Sequence, residues 1–277
     1  MESSDHQVGW RVDLEGPESD LRKELIAGST DFREAVDGLF SAPAEIDPRP
    51  WHRIENQKSM GSCAGHAQSS VCEMAYHIAT GEVTQFSPLF AYYAAQKIDG
   101  ITGDNGSTIS GSCKNAMKNG ACPLDVMPYP NPVRYTGVVP KEAYESASPF
   151  KIRSHSVCKS YDDVKAFIAS GQGGVQIGIN WGGTNPNSEG VIESFRPGSG
   201  GHSVCFLGYS SRKDSEGRNY LWMANSWAET WGNHGWAEVS PKAVDQMFQN
   251  SYTVMIGMSD LSTPTPRKID WAEDFPS

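Results

Sequence analysis

The chain has 277 residues, of which 20% are charged, 10% aromatic and 38% hydrophobic. These proportions are typical of a globular protein and exclude an intrinsically disordered chain. A formal net charge of −10, with no run rich in Lys or Arg, argues against a nucleic-acid partner.

The N-terminal sequence MESSDHQVGW lacks the basic start and the apolar stretch of a secretory signal. No apolar run approaches the roughly 18 residues of a membrane span, so no membrane partner is expected. We therefore expect an intracellular (cytoplasmic) or virion-associated protein.

Residues 1–45 are polar and contain two short amphipathic stretches, 21–26 and the segment that follows Asp31. In the second stretch Glu34 completes a capping-box pattern, and Phe32, Val36 and Phe40 share one face. We predict three segments: an N-terminal extension at 1–45, docked on a main domain at 46–258, and a C-terminal tail at 259–277.

The first half of the main domain is predicted to be helical. Apolar residues recur every three or four positions over 63–78, with Ser62 as the N-cap and Gly81 as the C-terminal stop. A second helix is predicted over 109–118, and a proline-rich crossover over 120–149.

The second half is predicted to be mostly β, after one further helix near 161–170. Short apolar runs rich in β-branched and aromatic residues predict the strands. They cover 175–179, 202–209, 220–225, 236–239 and 252–258. The pattern favours an α+β fold in two lobes.

Six cysteines are present, and if one is catalytic the other five cannot all pair within the chain. Without an export signal we expect reduced thiols. No CxxC and no zinc-site Cys/His spacing occurs, so no metal and no other cofactor is expected.

Cys63 lies at the predicted start of the first helix. The helix dipole and the unpaired N–H groups there are expected to lower the thiol pKa and give a nucleophilic thiolate. Gln57, six residues earlier, could supply an amide N–H to an oxyanion hole together with the Cys63 N–H. The simpler interpretations are a buried core cysteine and a surface glutamine.

His202 follows a Gly pair at the entry of a predicted strand, and its imidazole can share a proton with a thiol. Asn225 ends another predicted strand, and its amide oxygen can fix the imidazole tautomer. The Trp227 indole can exclude water from that bond. Each residue is also compatible with an ordinary structural role.

Together these residues resemble the papain-like family of cysteine peptidases. That family has Gln, then Cys six residues later, a distant His after a small residue, and then Asn-Ser-Trp. His202 lies 139 residues after Cys63, within the usual range of about 130–150. Asn225 lies 162 residues after Cys63, which a hairpin insertion around 212–217 would explain. Further matches are Trp231-Gly232, Gly235, Gly120 and Pro128-Tyr129.

The resemblance covers about residues 45–258 and implies a papain-like fold. A helical left lobe would carry the nucleophile helix, and a β-barrel-like right lobe would face it across the active-site cleft. The sequence is similar to the papain-like domains of bacteria and their viruses that lack a signal peptide. It therefore resembles a divergent microbial or viral-type member of the family.

The resemblance also implies a cysteine endopeptidase that acts on a peptide or protein through an acyl-enzyme intermediate. Cys63 would be the nucleophile, His202 the proton donor and acceptor, Asn225 the orienting residue and Gln57 an oxyanion donor. The implied substrate-binding residues are Gly106, Ser107, Gly201, Trp227 and Trp231.

The sequence departs from the family pattern near the cleft. Ala64 replaces an aromatic residue, Met60 a disulfide cysteine, and Ser107 the second glycine of the substrate-binding pair. Gly201 stands where relatives often have an acidic residue or Asn. His66, one helical turn after Cys63, is an alternative base, although a packing role is favoured.

Two functional alternatives stay open: another cysteine acyl-transfer enzyme, such as an amidase or transpeptidase, and a catalytically silent binding or structural homologue. The N-terminal extension is interpreted in three ways, as a reduced intramolecular inhibitory segment, as a docking arm or as a fixed part of the fold.

Overall fold

The computed structural model describes residues 9–31 and 42–262. The predicted face of Phe32, Val36 and Phe40, with Glu34, lies outside the described residues. The described helices are α1 Asp20–Ala27, α2 Cys63–Thr80, α3 Pro88–Asp99, α4 Ile109–Lys118, α5 Lys141–Ala147, α6 Tyr161–Ala169 and α7 Pro241–Phe248. The described strands are β1 Ser154–Val157, β2 Val175–Trp181, β3 Val191–Ile192, β4 Gly200–Lys213, β5 Asn219–Ala224, β6 Trp236–Val239 and β7 Val254–Ser259.

Helix α2 spans the predicted range and ends at the predicted glycine. Gly81 adopts φ +76°, and its N–H donates to the His77 carbonyl at 2.7 Å. Ser62 is the N-cap residue, as predicted, but its side chain makes no capping hydrogen bond. The Ser62 hydroxyl instead lies 2.7 Å from the Tyr129 hydroxyl.

The sequence pattern missed helix α3, although Ser87 caps its start, Pro88 is its first residue and Gly100 ends it with φ +71°. Its segment PLFAYYAAQ is buried on all sides, so no amphipathic period marks it. Helices α5 and α7 and the short strands β1 and β3 were also missed. Helix α5 lies inside the predicted crossover and is only seven residues long.

The seven strands form one sheet in the order β1-β7-β2-β4-β5-β6-β3. The neighbouring strands pair antiparallel, except for β3 and β6, which are parallel. Strand β4 extends to Lys213 and returns through a tight turn into β5, which is the hairpin expected around 212–217. Ser259, predicted to begin the tail, is the last residue of β7.

Helix α2 connects the two lobes. It packs against α3 and α4 in the helical lobe and against β2 and β4 of the sheet. One core includes Val71 and Met74 of α2 together with Ile177 and Phe206 of the sheet. A smaller core lies between α3 and the crossover. The fold is therefore the two-lobed α+β architecture that was expected.

Residues 9–31 pack on both lobes. Arg22 of α1 donates to the carbonyls of Ser251 and Thr253 beside the sheet, at 2.7 and 2.8 Å. Glu24 of α1 pairs with Lys114 of α4 at 2.7 Å. In residues 9–31 and 42–262, no helix has the length and apolar character that crossing a membrane requires.

Candidate active site

Two elements from different lobes meet at Cys63. Cys63 is the first residue of α2, and His202 lies near the start of β4. Helix α2 packs against β4, and the backbone N–H of Ser203, the residue after His202, acts to lower the Cys63 thiol pKa. The fold thus brings Cys63 to the start of the strand that carries His202, across 139 residues of sequence.

The His202 ring is held by an amide and by two indoles. Nε2 of His202 lies 2.9 Å from Oδ1 of Asn225, which follows β5 directly. Trp227 stacks on the imidazole with centroids 4.6 Å apart, and Trp181 packs edge-on at 5.4 Å. Since an amide oxygen only accepts, Nε2 carries the hydrogen. This shielded geometry fixes both the orientation and the tautomer of the ring.

The expected lowering of the Cys63 pKa is wrong for this arrangement. Burial raises the pKa of the fully buried thiol to about 11, although nearby N–H groups, including those of Gly9 and Ser203, act to lower it. Desolvation disfavours the thiolate more than these dipoles favour it. The helix start is as predicted, but the sequence could not show what covers it.

The Gln57 side chain is buried beside the Asn225–Trp227 loop. Its Oε1 accepts from the Ser226 hydroxyl at 2.6 Å, and its amide nitrogen donates to the Met60 carbonyl at 3.0 Å. Its backbone N–H donates to the Ser226 carbonyl at 2.9 Å. These bonds join the loop before α2 to the loop after β5, so Gln57 and Asn225 are positioned together.

An extended segment, Gly9–Arg11, runs through the cleft. Ser107 N–H donates to the Gly9 carbonyl at 2.9 Å, and Arg11 N–H donates to the Ser107 carbonyl at 3.0 Å. Opposite them, Trp10 N–H donates to the Gly201 carbonyl at 3.0 Å. The main-chain groups predicted to bind substrate at Ser107 and Gly201 therefore hold the chain's own N-terminal segment.

Two positions of this site are glycine because the backbone of the N-terminal segment passes very close to them. A Cβ on Gly201 would lie 2.1 Å from the Trp10 carbonyl oxygen, so the acidic residue or Asn common at this position could not fit. Gly106 has φ +74°, and a Cβ there would lie 2.0 Å from the Gly9 carbonyl oxygen. The Gly106 backbone itself binds α3, since its N–H donates to the Tyr92 hydroxyl at 3.0 Å.

Trp10 anchors the segment and was not predicted. Its indole is buried, and a Cβ on Gly178 of β2 would lie 2.7 Å from the indole. Its Nε1 donates to Glu15 at 2.9 Å, and the Glu15 carboxyl also accepts from the N–H groups of Ile109 and Ser110 at the start of α4. Burial raises the Glu15 pKa to about 7 despite these donors. The signal that could have predicted this anchor is a single tryptophan within an otherwise polar extension.

The remaining predicted residues occupy varied positions. Trp231 is half-buried and packs edge-on against Trp227, and its Nε1 donates to Asn185 at 3.3 Å. The Ser107 side chain, which replaces the second glycine of the family's pair, is fully buried. Met60 contributes to the smaller core, and the Ala64 carbonyl accepts from Gln176 at 3.0 Å.

His66 packs within the protein and does not serve the thiol. Its Nδ1 lies 3.0 Å from the Ser62 carbonyl, and its ring packs edge-on against Tyr129. Burial lowers its pKa to about 4. All six cysteines of the sequence lie among the described residues, and each is a buried free thiol.

The sequence matches the family model described as papain family cysteine protease over residues 42–256. The chain therefore belongs to the papain family of cysteine proteases and is a cysteine-type peptidase. A search of curated proteins found no significant match.

Solved structures share the fold at low sequence identity. Xylellain, a cysteine protease from Xylella fastidiosa, has a TM-score of 0.68 and 22% identity over 94% of this chain and 97% of its own. The ragweed pollen allergen Amb a 11, a cysteine protease in its proform, has a TM-score of 0.69 and 19% identity over 96% and 77%. Bromelain from Ananas comosus, in complex with the E64 inhibitor, has a TM-score of 0.59 and 16% identity over 78% and 99%.

Proposed function

We propose that the chain is an endopeptidase that cleaves peptide bonds with Cys63, His202 and Asn225. The Cys63 thiolate attacks the substrate carbonyl, and the His202 imidazolium protonates the leaving amine. The acyl-enzyme is then hydrolysed by water that His202 activates. Gln57 and the Cys63 N–H stabilise the oxyanion.

The observation that carries this proposal is the junction of α2 and β4. The helix that begins at Cys63 packs against the strand that carries His202. His202 is hydrogen-bonded to Asn225, and the Trp227 indole stacks on its ring. A scaffold that only binds does not require this combination of nucleophile, base and orienting amide. The indoles of Trp181 and Trp227 also keep water from the His202–Asn225 bond.

We further propose that Gly9–Arg11 inhibits the peptidase from within the same chain. The segment occupies the main-chain groups of Ser107 and Gly201 that a substrate needs. The Gly9 backbone N–H acts to lower the pKa of the Cys63 thiol, which is fully buried. The segment therefore lies beside the nucleophile as well as on the substrate-binding main chain. One similar structure, the ragweed protease, is likewise a proform.

Burial by the segment also accounts for the high thiol pKa. When the segment leaves, water returns to Cys63, the desolvation cost falls and its pKa decreases. The thiolate–imidazolium pair then forms in the open cleft. The docked segment thus opposes catalysis in two ways: it blocks the access of substrate to Cys63, and it disfavours the thiolate form of Cys63.

An epoxide or vinyl-sulfone electrophile tests the nucleophile. We expect one adduct per chain by intact mass, located on Cys63 and absent from Cys63→Ala. Cys72→Ala, which removes another buried cysteine of the same helix, is the matched control and should label like the wild type. Equal labelling of Cys72, or labelling that survives Cys63→Ala, would exclude the assigned nucleophile.

A mixed peptide library tests the reaction, with Cys63→Ala as the control. In the chain carrying Trp10→Ala, which is expected to open the covered cleft, cleaved products that are lost when Cys63→Ala is added would support peptide hydrolysis. Products of amide exchange would instead favour a transpeptidase, and labelling without any product would favour a different acyl-transfer reaction.

A further inference from the structure

A small cavity lies between α2 and strands β4 and β5, against the asparagine that holds His202. Its volume is about 10 Å³, close to the volume that one water molecule requires. Its polar lining includes Glu55, His66, Ser70, Asn225 and Ser226. A cavity of this size with several polar groups suits a bound water and not an apolar ligand.

Three side-chain nitrogens of the lining residues are buried without a hydrogen-bond partner among the described residues: Nδ1 of His52, Nε2 of His66 and Nδ2 of Asn225. Nδ1 of His52 lies 3.0 Å from Oε2 of Glu73, so the nitrogens that remain to be accounted for are those of His66 and Asn225. The Asn225 oxygen is already used, since it lies 2.9 Å from His202 Nε2 and accepts from Ser226 N–H at 2.8 Å. A buried polar group that is left without a hydrogen bond destabilises the folded protein. Both nitrogens therefore require a partner that the cavity can hold.

Hydrogen-bond accounting assigns the role of each nitrogen. His66 Nδ1 lies 3.0 Å from the Ser62 carbonyl, which only accepts, so Nδ1 carries the hydrogen. Burial lowers the His66 pKa to about 4, so the ring is neutral at pH 7 and Nε2 is an acceptor. Asn225 Nδ2 is a donor. One water can accept from Asn225 and donate to His66.

Glu55 supplies the third partner. Its Oε2 lies 4.0 Å from His66 Nε2, which is too far for a direct hydrogen bond and leaves a water bridge. Burial and the nearby Glu73 raise the Glu55 pKa, while Arg53 lowers it by less. In either protonation state Glu55 keeps a carboxyl oxygen that accepts the second hydrogen of the water. The water then has a hydrogen bond with each of the three groups.

We propose that a single water in this cavity bridges Asn225 Nδ2, His66 Nε2 and Glu55, and that His66 and Glu55 are positioning residues for Asn225. The water donates its two hydrogens to His66 and Glu55, so it can only accept a hydrogen bond from Asn225. A flipped Asn225 amide would place its oxygen against the water oxygen and its NH₂ against the His202 N–H, and both contacts would be unfavourable. The water thus adds to the Ser226 N–H in holding the amide orientation that His202 needs. This role rests on the proposed catalytic function of Asn225.

A crystal structure of the full chain tests the water itself. We expect an ordered water within about 3.2 Å of both Asn225 Nδ2 and His66 Nε2. A cavity without density at a resolution where other buried waters are visible would overturn the proposal. This result does not depend on enzymatic activity.

Steady-state kinetics test the positioning role in the full chain carrying Trp10→Ala, which is expected to open the cleft. His66→Phe keeps a ring against Tyr129 but removes the acceptor, and we expect kcat to fall about tenfold with KM within about twofold. His66→Gln keeps an acceptor near Nε2 and should restore most of kcat. His77→Phe changes another buried histidine of α2, away from Asn225, and should leave kcat unchanged.

The outcomes separate the two proposals. Titration of active sites with the electrophile ensures that misfolded protein does not lower the apparent kcat. If the Trp10→Ala chain with an intact His66 cleaves no peptide, the proposed function is wrong, and the crystal structure still decides the water. If that chain is active and His66→Phe has an unchanged kcat, His66 is not a positioning residue.

Discussion

Replacing Trp10 with alanine should convert the covered chain into an active peptidase. The Trp10 indole is 3% exposed in the cleft, and its Nε1 donates to Glu15 at 2.9 Å. Removing a buried tryptophan typically costs about 3–5 kcal/mol. Because that indole is buried only while the segment is docked, most of the loss falls on the covered state.

A loss of about 3 kcal/mol shifts the equilibrium between covered and open forms by more than about 100-fold toward the open form. We expect the rate of peptide cleavage and the rate of Cys63 labelling to rise by that order in Trp10→Ala. The three segment hydrogen bonds to Ser107 and Gly201 should open in parallel, seen as faster amide exchange of Ser107 and Arg11.

Trp51→Ala is the matched control, because Trp51 stacks on His77 and lies outside the cleft segment. It should lower the free energy of unfolding without raising activity. If Trp10→Ala labels and cleaves no faster than the wild type, while its Ser107 amide exchanges freely, the segment is not what restrains Cys63.

Two further predictions concern the orienting amide and the anchor. Asn225→Ala should lower kcat by more than it raises KM, measured in the Trp10→Ala chain, and an unchanged kcat would remove Asn225 from the mechanism. The Glu15 pKa is about 7 in the docked segment against an ordinary value near 4.5, so docking takes up a proton. Its contribution to docking is therefore fully present below pH 4.5 and is lost as the pH rises through 7. Docking of the wild-type segment therefore weakens at high pH, whereas docking in Glu15→Gln does not depend on this proton. The Cys63 labelling rate of the wild type divided by that of Glu15→Gln should increase from pH 5 to pH 9. A ratio that does not change with pH would contradict the raised Glu15 pKa as a contribution to docking.

The segment in the cleft explains why Gly201 departs from the family pattern, and it explains a second glycine, Gly178. Gly201 leaves room for the Trp10 carbonyl, and Gly178 leaves room for its indole. These glycines match this chain's own segment, so the segment and the cleft fit each other. This complementarity argues against a loose docking arm and is compatible with both an inhibitory segment and a fixed part of the fold.

The accuracy of the element predictions followed how each segment is buried. Helix α2 and helix α4 show an apolar period and terminal Gly or polar caps, and both were predicted within a residue. Helix α3 is buried on all sides, so its sequence lacks the alternation of apolar and polar faces from which a helix is predicted. Strands β1 and β3 contain only four and two residues, too few for an alternating pattern to be recognised.

The sequence by itself determined the fold class, the family and the identity of the residues at the candidate site. Gln57, Cys63, His202 and Asn225 are separated by turns and elements whose local signals are strong, so their order and spacing were informative. Only the tertiary structure decided the charge state of Cys63 and the occupant of its cleft. Both depend on contacts between residues far apart in sequence, because desolvation of the thiol arises where Gly9 and Trp10 meet β4, and no local pattern encodes that meeting.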